Sequence, residues 1–443
     1  MNDSFFLLRD LAPLLVPLGV LGTLTAFLLF YRYPRLSLFV YIAALPLFEL
    51  FVDFGFFRMR LDDMTAVLGI LAMLARHGVR PLNGMNARTG GLLRAYFVCI
   101  AVLCTSAVYG YLLYHRINVY DTGRVIGNFV KTIFLLLAIR DREDFVFVLK
   151  VYVVVFFLTG IYYYVPVMQE LQHITNRYQA KKSIRTRDMS INANTYGYYL
   201  SIAVMFLVFI QEQGKDLYSR RHALFNNMML LFFLLIMASL FFRMSLIAAL
   251  LVFLYSQIIR KRAALIFVVL LSMIVTLFAA SYIFDYIQTF DPTDIGDRYG
   301  RFWQGIALFR ERPLFGHGLG QELYLIPLTS SHNPVSMNLA ETGLIGFSTL
   351  VIFMVKLIRN LYRFSLSHVP FHIPFAMMLA LLLLISPTPA IWVDKTSMFL
   401  MSMLIVYSVV CAREEMQAEE VEETAQPDDA AGAVPDGRFS SNY

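Results

Sequence analysis

Residues 223–260 read ALFNNMMLLFFLLIMASLFFRMSLIAALLVFLYSQIIR, an apolar run interrupted by one charge, Arg243, before it ends at Arg260. A single helix over these residues would be about 57 Å long at ~1.5 Å per residue, nearly twice the ~30 Å hydrocarbon core of a bilayer. The run is therefore expected to form two short helices that meet near Arg243. An arginine left at the centre of a membrane helix costs roughly 2.5–3.5 kcal/mol on insertion scales. Arg243 is thus expected to be kept for a partner or a ligand.

Working outward, the same apolar texture fills most of the chain, which is 58% hydrophobic and only 15% charged. No soluble domain buries that much apolar surface. Runs long enough to cross a bilayer, about 17–25 residues each, fall at 11–31, 37–57, 62–79, 91–114, 123–140, 144–168, 192–211, 223–242, 243–260, 263–284, 335–358, 371–390 and 396–412. The expected fold class is an all-α polytopic integral membrane protein, with about 12–13 transmembrane helices and a large external loop at 285–334. Three divisions follow: N-terminal spans at 1–222, a membrane domain at 223–412 that carries the loop, and an acidic tail at 413–443. The first run has no basic start or small-residue cleavage site, so it reads as a retained span. Cys99, Cys104 and Cys411 all lie in apolar runs and read as packing thiols.

Basic residues fix the expected orientation. The clusters Arg76/Arg80/Arg88/Arg94, Arg140/Arg142/Lys150, Lys215/Arg220/Arg221, Arg260/Lys261/Arg262 and Lys356/Arg359/Arg363 occupy alternate loops, which the positive-inside rule makes cytoplasmic. The 285–334 loop then lies outside. So does the segment 169–191, although it carries Arg177, Lys181, Lys182, Arg185 and Arg187. Either the count of spans is off by one there, or positive charge is retained on the external side because it binds an anionic ligand. Lys131, near the middle of its span, is expected to point inward. From Arg413 onward, glutamates and aspartates among Ala, Gln and Pro predict a disordered tail.

The loop holds the chemistry. Residues 297–311 place Phe302, Trp303, Ile306 and Phe309 on one helical face, with Arg298 and Arg301 near the start. This is the pattern of a helix lying in the membrane interface, and a helix start suits an anion. Pro313-Leu314-Phe315-Gly316-His317-Gly318-Leu319-Gly320 lacks the strand and spacing of a dinucleotide fingerprint. Its glycines either let backbone amides approach a pyrophosphate or shape a re-entrant loop. In His332-Asn333-Pro334, Asn333 is a natural N-cap and Pro334 a natural first helical residue. His332 then sits just outside a helix start, suited to take a proton from a sugar hydroxyl near neutral pH. Glu341 lies early in the following span, and Gly343 and Gly346 read as helix-packing positions.

Taken in order, these pieces resemble the bacterial O-antigen ligase and polymerase family: an arginine between paired short spans, an arginine before an aromatic helix, Pro-Leu-Phe-Gly-x-Gly, His-Asn and Glu-x-Gly-x-x-Gly. The likeness is strongest over 225–350. Upstream, Arg185-x-Arg187-Asp188 before Asn192 and Asn194, and Leu61-Asp62-Asp63 after Arg58 and Arg60, are similar to the family's segments there. The resemblance implies a metal-independent, inverting glycosyltransferase of the bacterial inner membrane, with its site facing the periplasm and no cofactor. Its donor would be an undecaprenyl-diphosphate-linked glycan and its acceptor a glycan or a lipid A core. A chain-length regulator is an implied partner, and nucleic acid is not. His332 matches the family's loop histidine, which activates the acceptor hydroxyl. Arg243 and Arg298 match the arginines that would clamp the diphosphate, with bidentate guanidinium geometry suited to phosphate oxygens. Arg185, Arg187, Arg301, His317, Asn333 and Glu341 complete the expected substrate contacts. Phe242 stands where the family has a serine, and His317 stands between two glycines where a small apolar residue is usual. A repeat-unit polymerase for exopolysaccharide or O-antigen is the first expectation, and the ligase is the alternative. A lipid-linked glycan flippase is the rival of another class, and would show two similar halves or charges strung through many spans.

Overall fold

The computed structural model describes residues 20–47, 51–53, 58–78, 87–170, 193–213, 220–239, 243–259, 292–326, 333–367, 372–385 and 394–425. The described chain is helical apart from one short hairpin. Its helices are α1 (Val20–Arg32), α2 (Pro34–Ala44), α3 (Leu61–His77), α4 (Ala87–Tyr114), α5 (Val119–Ala138) and α6 (Arg142–Glu170). After these come α7 (Ala193–Gln213), α8 (Arg220–Ser239), α9 (Arg243–Ile259), α10 (Pro292–Glu311) and the one-turn α11 (Glu322–Leu325). The last three are α12 (Pro334–Ser367), α13 (His372–Ile385) and α14 (Lys395–Ala425). Four helices are long and apolar enough to cross a membrane, over Thr89–Tyr114, Arg142–Tyr162, Pro334–Phe364 and Lys395–Ala418. Six shorter apolar helices stand beside them.

The centre of the bundle is α14. It is buried along almost all of its apolar length and touches α4, α5, α6, α7, α12 and α13. Its sequence explains this, since Met, Leu, Val and small residues surround the helix without a polar stripe. The second inner helix is α7, whose residues 196–210 are all buried. Peripheral helices show the opposite pattern. On α8, Leu224, Met228, Leu231 and Leu235 are exposed at helical spacing. Leu344, Val351, Ile352 and Val355 are exposed on α12 in the same way. An apolar stripe turned outward fits hydrocarbon and not water. The protein is a helical membrane protein.

Several expectations are met. The run 223–260 falls into α8 and α9, Arg243 being the first described residue of the second, and residues 240–242 lie outside the described residues. Lys131 is inward, with only 6% of its surface exposed. Helices end at one pole with basic residues in mutual contact: Arg76 donates to the carbonyls of Tyr31 and Arg32, and Arg413 donates to that of Arg140.

Two expectations are corrected. The run 37–57 is not one helix. Helix α2 stops at Ala44, and an antiparallel hairpin pairs β1 (Phe51–Asp53) with β2 (Arg58–Arg60), Val52 opposite Met59. Its aromatic and β-branched residues suit a pleated ladder as well as a helix. The tail is also more ordered than its acidity predicted, because α14 continues through Glu414 and Glu415 to Ala425. Its alanines and glutamates are good helix formers that extend a helix nucleated in the bundle. The run 263–284 lies outside the described residues.

Candidate active site

Helix α12 carries the central feature of the loop region. Gly343, at φ 62° and ψ −165°, breaks the helix. A break at this point strands two carbonyls, of Ala340 and Glu341, and two amides, of Leu344 and Ile345. The Pro313–Gly320 loop supplies all four partners. His317 N donates to Ala340 O at 2.8 Å, and Gly318 N to Glu341 O at 2.8 Å. Leu344 N donates to Pro313 O at 2.8 Å, and Ile345 N to Leu314 O at 3.2 Å. Ser106 Oγ adds a second donor to Glu341 O, at 3.1 Å.

The glycines allow this approach. A β-carbon on Gly316 would lie 2.5 Å from the carbonyl carbon of Glu341, and one on Gly318 would lie 2.3 Å from the α-carbon of Gly110 on α4. The loop is thus held between the end of α4 and the break in α12. Because the amides of Gly316, His317, Gly318 and Gly320 all donate within the protein, they are not available to a pyrophosphate. These glycines shape the loop and its close approach to α4 and α12. Gly343, expected at a helix-packing position, is instead the break itself.

Two expected substrate contacts belong to this joint. Glu341 is buried, and its Oε1 accepts from Gly320 N at 2.9 Å. His317 is buried with both ring nitrogens engaged, Nδ1 with Tyr114 Oη at 2.5 Å and Nε2 with Leu308 O at 2.9 Å. The loop is further tied to the start of α5, where Asn118 Nδ2 donates to Gly320 O at 3.2 Å and Asn118 Oδ1 caps Asp121 N.

Asn333 caps α12 as its sequence predicted. Its Oδ1 accepts from Val335 N at 2.9 Å and Ser336 N at 3.2 Å. Asn333→Ala is expected to lower stability by about 1 kcal/mol, read as a lower melting temperature of the protein in detergent. Helix α10, which carries Arg298 and Arg301, packs on this first half of α12, with Gly305 against Ser336. Arg301 is half-buried. Arg298 and Asn333 are therefore on two helices in contact. Arg243 lies on α9, which among the described residues packs principally on α7 and α13. His332, Arg185 and Arg187 lie outside the described residues.

One constellation was only partly anticipated. Arg60 ends β2 and caps α3; its Nε lies 3.2 Å from Asp62 Oδ1, and its backbone amide donates to Asp63 Oδ2 at 3.0 Å. Lys131 Nζ lies 2.5 Å from Asp62 Oδ2 and 2.6 Å from Asp63 Oδ1. The network joins the hairpin, α3 and α5 deep in the bundle. Arg124, Asp394 and Lys395 lie within electrostatic range of it. The signal available in the sequence was charge inside apolar runs, read at Lys131 but not at these three.

No protein-family model and no curated protein matches this chain.

Proposed function

We propose that the protein is a membrane glycosyltransferase that uses an undecaprenyl-diphosphate-linked glycan as donor, and specifically a repeat-unit polymerase of the bacterial inner membrane. The observation that supports this reading best is the joint itself. The segments that carry the family resemblance, 313–320 and 341–346, are complementary halves of one structure, and the helix bearing Arg298 packs beside the helix opened by Asn333. A rigid frame of this kind holds a reactive loop against a membrane-embedded substrate.

In the proposed reaction His332 accepts the proton of an acceptor hydroxyl, whose oxygen attacks the donor's anomeric carbon. The bond from that carbon to the diphosphate oxygen breaks with inversion. Arg243 and Arg298 stabilise the departing diphosphate by charge-assisted hydrogen bonds.

The test supplies a lipid-diphosphate-linked repeat unit to purified protein in lipid, with products separated by size. The wild type is expected to yield a ladder that is absent from His332→Ala and Arg298→Ala. Single transfer to an added lipid A core, without a ladder, would replace the polymerase with the ligase. Donor left intact in every sample despite binding would remove glycosyl transfer altogether.

A further inference from the structure

Three groups are arranged around the ring of His317, which is only 3% exposed. Leu308 O lies 2.9 Å from Nε2, and Tyr114 Oη lies 2.5 Å from Nδ1. A carbonyl oxygen only accepts, so in the neutral imidazole Nε2 carries the hydrogen and Nδ1 is the acceptor. The Tyr114 hydroxyl therefore donates to Nδ1. Beyond Nε2, at 3.7 Å, is Glu311 Oε2. The order is hydroxyl, imidazole, carboxylate, with the base oriented by a third group, and this is the arrangement that activates a hydroxyl.

The frame of the joint fixes the pair. Tyr114 is the last residue of α4, the helix that presents Ser106 to Glu341 O and Gly110 to Gly318. The backbone of His317 is tied to Ala340 O. Tyr114 is half-buried, and among the described residues its oxygen makes one hydrogen bond, the one it donates. Both lone pairs of that oxygen are open to a donor. The remaining charged groups of the packed elements are Arg312 on α10, whose Nη1 donates to Tyr109 Oη at 3.3 Å, and Glu341 on α12, whose carboxylate accepts from Gly320 N. Moving the phenolic proton to the imidazole breaks none of these contacts. Nδ1–H would then donate to Oη, while Nε2–H keeps Leu308 O and faces Glu311.

We propose that Tyr114, His317 and Glu311 form a proton relay, an acid–base site for a ligand hydroxyl at the end of α4. Tyr114 is the group that touches the ligand, and His317 and Glu311 act through it. The ligand's O–H proton passes to Tyr114 Oη as the phenolic proton passes to His317 Nδ1. The ligand oxygen keeps the electron pair with which it attacks, and the imidazolium later returns its proton to water. Only the identity of the hydroxyl rests on the transferase reading. Under that reading it is the acceptor sugar's, it attacks the donor's anomeric carbon, and the relay is a base additional to His332.

An arylsulfonyl fluoride tests the phenol without any substrate. The tyrosine oxygen attacks sulfur, fluoride leaves, and the proton goes to the base. Purified protein in detergent is labelled over a pH series, and the rate at each tyrosine is read by peptide mass spectrometry. An unassisted phenol reacts through its phenolate fraction, so its rate rises about tenfold per pH unit below its own titration. Tyr111 and Tyr162, 47% and 72% exposed, are expected to behave in this way. Tyr114 is less exposed, yet it should label about tenfold or more faster near neutral pH, at a rate that levels off once the imidazole is neutral. His317→Gln cannot take a proton and should return Tyr114 to the steep rise, about tenfold or more slower. Saturating lipid-diphosphate-linked repeat unit should protect Tyr114 and leave Tyr111 unchanged.

A Tyr114 rate that climbs in step with Tyr111 and Tyr162 overturns the relay, and does so in the wild type, where folding of a variant is not at issue. An unchanged Tyr114 rate in His317→Gln overturns it as well. Fast labelling that the repeat unit does not slow keeps the relay and removes the acceptor as its ligand. Fast labelling in a protein that builds no ladder keeps the relay and removes the polymerase reading, so the two inferences fail separately.

Discussion

Lys131→Met is expected to destabilise the protein by about 3–5 kcal/mol, the range for removing one partner from a buried ion pair. Lys131 is 6% exposed and Asp62 1%, and the ammonium holds both Asp62 and Asp63 within 2.6 Å. Methionine preserves most of the side-chain volume, so the loss isolates the charge. It leaves two carboxylates with Arg60 as the cation in contact, inside a bundle whose helices expose apolar side chains to lipid. The partial remedy follows from the same geometry. Adding Asp62→Asn removes the surplus anion, and the double variant should recover a large part of the loss, because uncharged replacements of buried pairs are often tolerated. Melting of purified protein in detergent, wild type against the single and double variants, checks both statements. Equal melting temperatures for the wild type and Lys131→Met would mean that the network is hydrated and not buried.

The same residue shows how far the sequence could be read. Charge inside an apolar run indicated that Lys131 points inward, because a lysine facing lipid costs too much. Its partners were out of reach, since Asp62 and Asp63 belong to a helix whose pairing with α5 no local pattern encodes. The division at Arg243 was legible for a similar reason, being a matter of length against bilayer thickness. The hairpin was not, because a short segment rich in aromatic and β-branched residues suits helix and ladder alike. At the loop, Asn333 as a cap followed from local hydrogen-bonding chemistry. The partnership of His317 and Gly318 with the break at Gly343 did not, because it depends on two segments that meet only in the fold.

That partnership carries the second large effect. Gly318→Val is expected to cost about 3 kcal/mol or more and to leave little folded protein to recover. Two penalties combine. Gly318 has φ +105°, a conformation that a β-branched residue adopts only under strain. Its β-carbon would also lie 2.3 Å from the α-carbon of Gly110, where the obstacle is backbone and cannot swing aside. Relief requires the loop to lift from α4, and lifting it withdraws the amides that complete the broken ladder of α12. The carbonyl of Ala340 would then lose its donor, at about 1–3 kcal/mol, and that of Glu341 would keep only Ser106 Oγ. Gly300→Val, on α10, provides the control. Among the described residues a β-carbon there meets nothing within 4 Å, so the propensity and χ1 costs of valine in a helix apply. Size-exclusion profiles in detergent should show a sharp peak for Gly300→Val and an aggregated or depleted one for Gly318→Val. A normal peak and melting temperature for Gly318→Val would show that the loop does not close on the break as described.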